Sequence, residues 1–302
     1  RRGNREGKVT YAPDVMLAET LRFMEENRNR PMFIFFSTNL PHGPVDIPPE
    51  ENTYAGSPAI RQAYGNASGT NRECSGAAEE YASMVDKLDR QVGAIVDQVR
   101  KLGLDKRTII IFSSDNGHEL YYRTDKGRGR GPDCHGGVLD GTGELLDVFR
   151  GSRGRVGPNN AMANLAGLKW TSHEGGIRVP LIISWPGTLP HGKVCHSLVA
   201  NYDHMASFAD LAGIRMPEGK DAVSYMDILS GNSSRQRDYV VVDHTVITGD
   251  GWKLTQKQNK PFLFHIGRDP EERNNLAGTR KDQLEKLRAI YRKEVGSPRK
   301  DR

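Results

Sequence analysis

Cysteine is scarce in this chain: Cys74, Cys134 and Cys195 are all there are in 302 residues. Three are too few for a disulfide framework, and the odd count leaves one unpaired. None has a Cys-x-x-Cys partner, which argues against a structural zinc site. No apolar run approaches the roughly 18 residues of a membrane-spanning helix. No leader is recognisable either, and there is no initiating methionine. The opening "RRGNREGKVTYAPD" reads as the interior of a longer protein, so a missing leader says nothing about compartment. Charge of one sign does not dominate: 43 basic residues against 38 acidic give +5. That excess fits a solvated surface, or an anionic substrate such as a sulfated or phosphorylated sugar. Nucleic acid is not expected as a partner, because the basic residues are scattered. The densest cluster, "DKGRGRGPD", has an aspartate at each end.

What is present reads as alternating elements. Residues 13–29 predict a helix, with Pro13 in its first turn and Leu17, Leu21 and Met24 on one face. "MFIFFS", Met32 to Ser37, is continuously apolar and predicts a strand buried on both faces. Residues 41–74, rich in Pro, Gly, Asn and Ser, predict a loop. The strongest helical pattern runs from Tyr81 through Val85, Leu88, Val92, Ile95 and Val99 to Leu102. Ser75 is a candidate N-cap there, and Gly103 is placed to end it. "TIIIFSS" then predicts a second strand, so the unit is strand, loop, long helix, strand, the spacing of a parallel crossover. Residues 123–168 predict a long irregular insertion. "VPLIISW" predicts a further buried strand, and 202–214 a helix with apolar Met205, Phe208, Ala209 and Ala212, closing at Gly213. "DYVVVDH", "WKLTQ" and "FLFHI" predict short strands, followed by a charged helix over 280–295. The expected fold is α/β: a mainly parallel, mixed sheet sandwiched by helices (1–235). A small C-terminal antiparallel sheet plus helix (236–302) completes it.

Three stretches carry candidate chemistry. In "SSDNGHE", Asp115 and Asn116 follow a predicted buried strand, where ligands bind in an open α/β sheet. A carboxylate and an amide carbonyl are hard oxygen ligands, suited to calcium or magnesium. Asp-Asn-Gly is also ordinary turn chemistry, so alone it reads either way. His42 in "NLPHGPVD" follows the first predicted strand and offers a donor or general acid, or is a plain loop histidine. In "LAGLKWTSHEGGIRVP", Lys169 suits a sulfate or phosphate oxygen, or is a surface lysine. Glu174-Gly175-Gly176 predicts a tight turn, with Arg178 placed to pair with a buried carboxylate and hold it.

Strand then "PHGP", strand then "SSDNG", and "KWTSHEGGIRVP" before an apolar strand and "WPG" together resemble the sulfatase family of the alkaline phosphatase superfamily. "DHMASFADLAG" and "DGWKL…FLFHIGRDPEERNNLAG" are similar to the family's later helix and C-terminal segment, so the resemblance covers most of residues 10–290. It implies that Asp115 and Asn116 are calcium ligands, with magnesium the lesser alternative. It implies that His42 contacts the bridging or sulfate oxygen and that Lys169 binds the sulfate group. His118, next to the metal pair along with Glu119, would face the substrate. The long glycine-rich insertion is similar to sulfatases acting on sulfated saccharides. Export to the periplasm, the cell exterior or the lysosome is the family's habit.

The resemblance also implies parts that are not here. Its nucleophile is a cysteine in Cys/Ser-x-Pro-x-Arg, converted to formylglycine, and "ECSGA", "DCHGG" and "VCHSL" do not match. The paired aspartates and the "GKWH"-like segment of the family are missing as well. The expectation is the C-terminal part of a sulfuric ester hydrolase, inactive by itself and prone to association through uncovered sheet surfaces. Two alternatives stand beside it: a phosphate or phosphonate ester hydrolase of the same superfamily, and a non-catalytic module binding sulfated glycans.

Overall fold

The computed structural model describes residues 10–42, 47–65, 72–117, 165–166, 169, 171–231, 237–257 and 260–296. The helices are α1 (Ala12–Glu26), α2 (Pro58–Gly65), α3 (Arg72–Lys101), the one-turn α4 (Glu174–Ile177), α5 (Asp203–Leu211), α6 (Met226–Leu229) and α7 (Lys281–Glu294). The strands are β1 (Ile110–Ser113), β2 (Leu181–Ser184), β3 (Tyr239–Val242), β4 (Thr245–Thr248), β5 (Trp252–Lys257) and β6 (Lys260–His265). The chain is thus α/β with a small antiparallel-sheet subdomain. By contacts it falls into two compact units, divided within β1 after Ile111, with 112–117 joining the later residues.

In the first unit, α1 begins with Pro13 in its first turn, as expected, and stops at Asn27, whose amide bonds back to the Phe23 carbonyl. Met24 is buried with Val99 and Leu104, and Leu21, Met32, Ile95, Leu102 and Ile110 pack around them. α3 starts at Arg72, ahead of the expected cap at Ser75, and Gly103 closes it in the left-handed region, φ +66°. Its buried face is not the expected apolar stripe alone. Glu79, Ser83, Lys87 and Gln91, four residues apart, are buried while Val85 is exposed. The polar stripe has partners in the segment expected to be loop. Glu79 accepts from the Gly56 amide and Arg61, Ser83 donates to Asn52, and Lys87 pairs with Glu51 and Asp14. That segment also holds α2, because Ser57 and Pro58 can start a helix where composition suggested only loop.

The strand expected at 32–37 is not formed. These residues have no ladder partner among the described strands, and Phe33 and Phe35 are 74% and 83% exposed. An apolar run becomes a buried strand only where other strands and a covering layer complete it. The expected insertion at 123–168 lies outside the described residues, apart from 165 and 166.

In the second unit the end of β1 lies beside β2 in a two-stranded sheet. β2 is not buried on both faces: burial alternates along it and Ile182 is 61% exposed. α5 does not bury the apolar residues that marked it. Its buried residues are Asp203, Ala206 and Ser207, and Met205 is exposed. Asp203 is the reason: it accepts from the Ala200 and Val223 amides and takes both prongs of Arg237, which anchors that face of the helix inward.

The C-terminal sheet has one strand more than expected, in the order β3-β4-β5-β6, antiparallel throughout. β3 and β4 are joined by Asp243-His244, with Asp243 at φ +51°, a conformation aspartate tolerates better than most residues. Val246, Leu254 and Leu263 on one sheet face bury against Leu284, Leu287 and Tyr291 of α7, spaced three and four apart.

Candidate functional site

β1 delivers Ser114 to Gly117 to its carboxyl end, the position sequence reasoning gave the metal pair. Asp115 is exposed and Asn116 half-buried. The Asn116 side-chain amide donates to the Gly117 carbonyl at 3.0 Å, while Ser114 Oγ donates to the Asn116 carbonyl at 2.9 Å. Asn201 Nδ2 donates to the Ser114 carbonyl at 3.1 Å. The turn is therefore pinned by side-chain donors to its carbonyls, and the side-chain oxygens of Asp115 and Asn116 are of the hard type that calcium takes. Turn and ligand pair are compatible readings of the same residues.

Gly117 explains why the turn cannot drift. Its amide donates to the Gly176 carbonyl at 2.8 Å, and a Cβ built on it would stand 1.9 Å from the Gly175 oxygen. Only a glycine fits here. Gly175 in turn donates to the Ala166 carbonyl at 2.6 Å, so three backbone segments meet edge to edge.

The Glu174 turn is held by buried charge. Lys253 on β5 is fully buried, and its Nζ bonds Glu174 Oε1 at 3.0 Å and Glu272 Oε1 at 2.9 Å. The Glu174 amide donates to Glu272 Oε1 at 2.7 Å, and His173 Nδ1 lies 2.7 Å from Glu272 Oε2. Burial pushes the Glu272 carboxyl up. The His173 hydrogen bond, the Lys253 charge and the Glu174 amide outweigh that and hold it below the usual carboxylate range. Glu272 itself has φ +50°. Arg178 does pair with the buried Glu174, at 3.7 Å, but its own side chain is exposed, and Lys253 is the closer partner.

The remaining expected residues divide as follows. Lys169 is half-buried in the same unit, five residues before Glu174. His42 is exposed and belongs to the first unit, its amide closing a turn on the Asn39 carbonyl at 2.7 Å. His118 lies outside the described residues. Sequence reasoning missed Lys253, Glu272 and His173. The one available signal was a lysine between Trp252 and Leu254 in the predicted strand "WKLTQ". Among the described residues, no group of three or more His, Cys, Asp or Glu stands together as a metal cage. Calcium takes about six to eight oxygens, so Asp115 and Asn116 fit it by type and would supply part of a shell.

Comparison with known proteins gives the family. A family model described as sulfatase matches residues 2–214, and one described as N-sulphoglucosamine sulphohydrolase, C-terminal, matches residues 169–300. The N-acetylgalactosamine-6-sulfatase of Canis lupus familiaris is 24% identical over 315 residues, covering 91% of this chain and 50% of that protein. The N-acetylgalactosamine-6-O-sulfatase of Bacteroides thetaiotaomicron is 24% identical over 286 residues, covering 87% and 47%. The chain thus spans about half the length of the curated relatives it matches. Among solved structures, a protein from work on glycosaminoglycan metabolism by Bacteroides thetaiotaomicron superposes with a TM-score of 0.67 at 21% identity, covering 93% of this chain and 54% of its own. Another, solved with its substrate D-glucosamine-2-N,6-O-disulfate, gives 0.65 at 15% identity, covering 95% and 71%. At these identities the structural likeness speaks for the fold.

Proposed function

This chain belongs to the sulfatase family of the alkaline phosphatase superfamily, and from that premise we propose that it forms part of a sulfuric ester hydrolase acting on a sulfated saccharide. The observation that carries the site assignment is Gly117 seated on Gly175–Gly176. It joins the Asp-Asn-Gly and Glu-Gly-Gly elements, which lie far apart in sequence, into one backbone arrangement beside Lys169 in the chain.

Asp115 and Asn116 would hold a calcium ion together with oxygens from outside the described residues. Bound there, calcium would neutralise sulfate oxygens and orient the ester. Lys169 contributes a compact positive charge for the sulfate group, and His42 a donor or proton for the ester's bridging oxygen. His118, the next residue after Gly117 in sequence, is the further group assigned to the substrate in this reading. The attacking group, formylglycine, is supplied from beyond these 302 residues, since no cysteine here lies in Cys/Ser-x-Pro-x-Arg. The saccharide assignment draws support from relatives whose names specify N-acetylgalactosamine 6-sulfate and from a neighbour solved with a disulfated glucosamine. Export fits the same reading, and no described helix is long and apolar enough to cross a membrane.

The test compares aryl sulfate with aryl phosphate as substrates of the full-length protein. Sulfate release with little phosphate release is the expected result, and a preference for phosphate moves the assignment to a phosphoesterase. The 302 residues alone are expected to release no sulfate.

A further inference from the structure

The proposed chemistry makes no use of the buried charges of the second unit. Lys253 and Glu272 are completely buried and Glu174 nearly so. Ion groups in such positions add little net stability over apolar residues of the same shape, so their value lies in the geometry they specify. The sheet shows what that geometry is. Leu254 points into the core against α7, so its strand neighbour Lys253 projects from the opposite face. There its three donors are directed at two carboxylates, Glu174 and Glu272. Glu272 has a double grip. One oxygen takes Lys253 and the Glu174 amide, and the other faces His173. The backbone of residues 173–176 is thus clamped from the small sheet.

That clamped backbone is the surface on which Gly117 rests, with no room between them for a Cβ. A shift of the Glu174 turn by a few tenths of an ångström must move Gly117, and with it the two residues before it. We propose that Lys253, Glu272 and His173 are positioning residues for Asp115 and Asn116: the small C-terminal sheet sets the ligand pair through the Glu174 turn. The positional claim stands on the hydrogen bonds alone, and its extension to metal affinity rests on the calcium reading above.

Hydrogen exchange on the full chain tests it, comparing the parent with Glu272→Gln, in which Lys253 keeps Glu174, and with Lys253→Met/Glu272→Gln, in which Glu174 keeps Arg178 at 3.7 Å. Both variants are expected to lose protection about tenfold at 112–117 and 174–178, while β4 and α7 keep theirs. A residue that merely stabilises its own sheet would leave 112–117 untouched. Unchanged protection at 112–117, or uniform loss across all peptides in both variants, overturns the proposal. Terbium luminescence, as a stand-in for calcium, is read on the full-length protein and on the same two variants of it. Affinity falling about tenfold joins the clamp to the metal site. A parent that binds no terbium, with the exchange difference intact, refutes the metal reading and leaves the clamp standing.

Discussion

At the scale of single residues, Gly117 and Glu272 do the most to shape the candidate site. Replacing Gly117 by alanine forces a Cβ into the Gly175 carbonyl, 1.9 Å away, and backbone is the neighbour that would have to yield. Gly117→Ala is expected to cost about 1–3 kcal/mol or more, read as a lower urea midpoint; an unchanged midpoint contradicts the packing described. Glu272 carries a pH dependence. Its folded pKa lies below the usual 4.5, so its contribution is complete above that value and is lost as pH falls below 4.5 through the folded value. The parent is therefore expected to lose stability in that acid window more steeply than Glu272→Gln. Identical acid profiles would show that the carboxylate is not held as described.

At the scale of elements, the α7 seam is the clearest case of sequence fixing structure. Leu284, Leu287 and Tyr291 recur at helical spacing, and all three are buried against β4, β5 and β6. Leu287→Ala should lower the stability of this subdomain by about 2–5 kcal/mol in denaturant titration, with loss of protection on β5. Local patterns of this kind were legible: α1, α3, α7, β1 and the Gly103 stop all fell close to where periodicity and caps put them. The Asp-Asn-Gly and Glu-Gly-Gly turns were legible too, through turn chemistry and family resemblance. Long-range polar partners were not. Nothing local marks Lys253 as buried, because its burial depends on two carboxylates, one of them 79 residues away in sequence. The polar stripe of α3 escaped for the same reason: Glu79 and Ser83 are inside only because residues 52–61 bring donors and acceptors to them. β4 was hidden by a turn that uses Asp243 in place of the usual glycine.

At the scale of the whole molecule, the chain spans about half the length of the curated relatives it matches. The apolar run at 32–36 shows the difference between a strand's sequence and a strand, since Phe33 and Phe35 stand largely in solvent. Exposed aromatic surface of this kind favours association. The isolated chain is expected to self-associate in sedimentation runs, and Phe33→Ser/Phe35→Ser to shift it toward monomer; equal behaviour of the two would locate association elsewhere. The division of labour in the site has the same logic. The proposed ligands Asp115 and Asn116 and the proposed anion-binding Lys169 lie in the second unit, the proposed donor His42 belongs to the first, and none of the three cysteines lies in the family's nucleophile motif. The central claim is that Asp115 serves a calcium-dependent sulfatase. The measurement that bears on it most directly is sulfate release by the full-length protein and its Asp115→Ala variant, each stripped with a chelator and then titrated with calcium. The account predicts that calcium restores the parent and leaves the variant at least about a hundredfold slower, in line with loss of a charge-stabilising group. A variant that recovers the parent's rate at the same calcium concentration would contradict it.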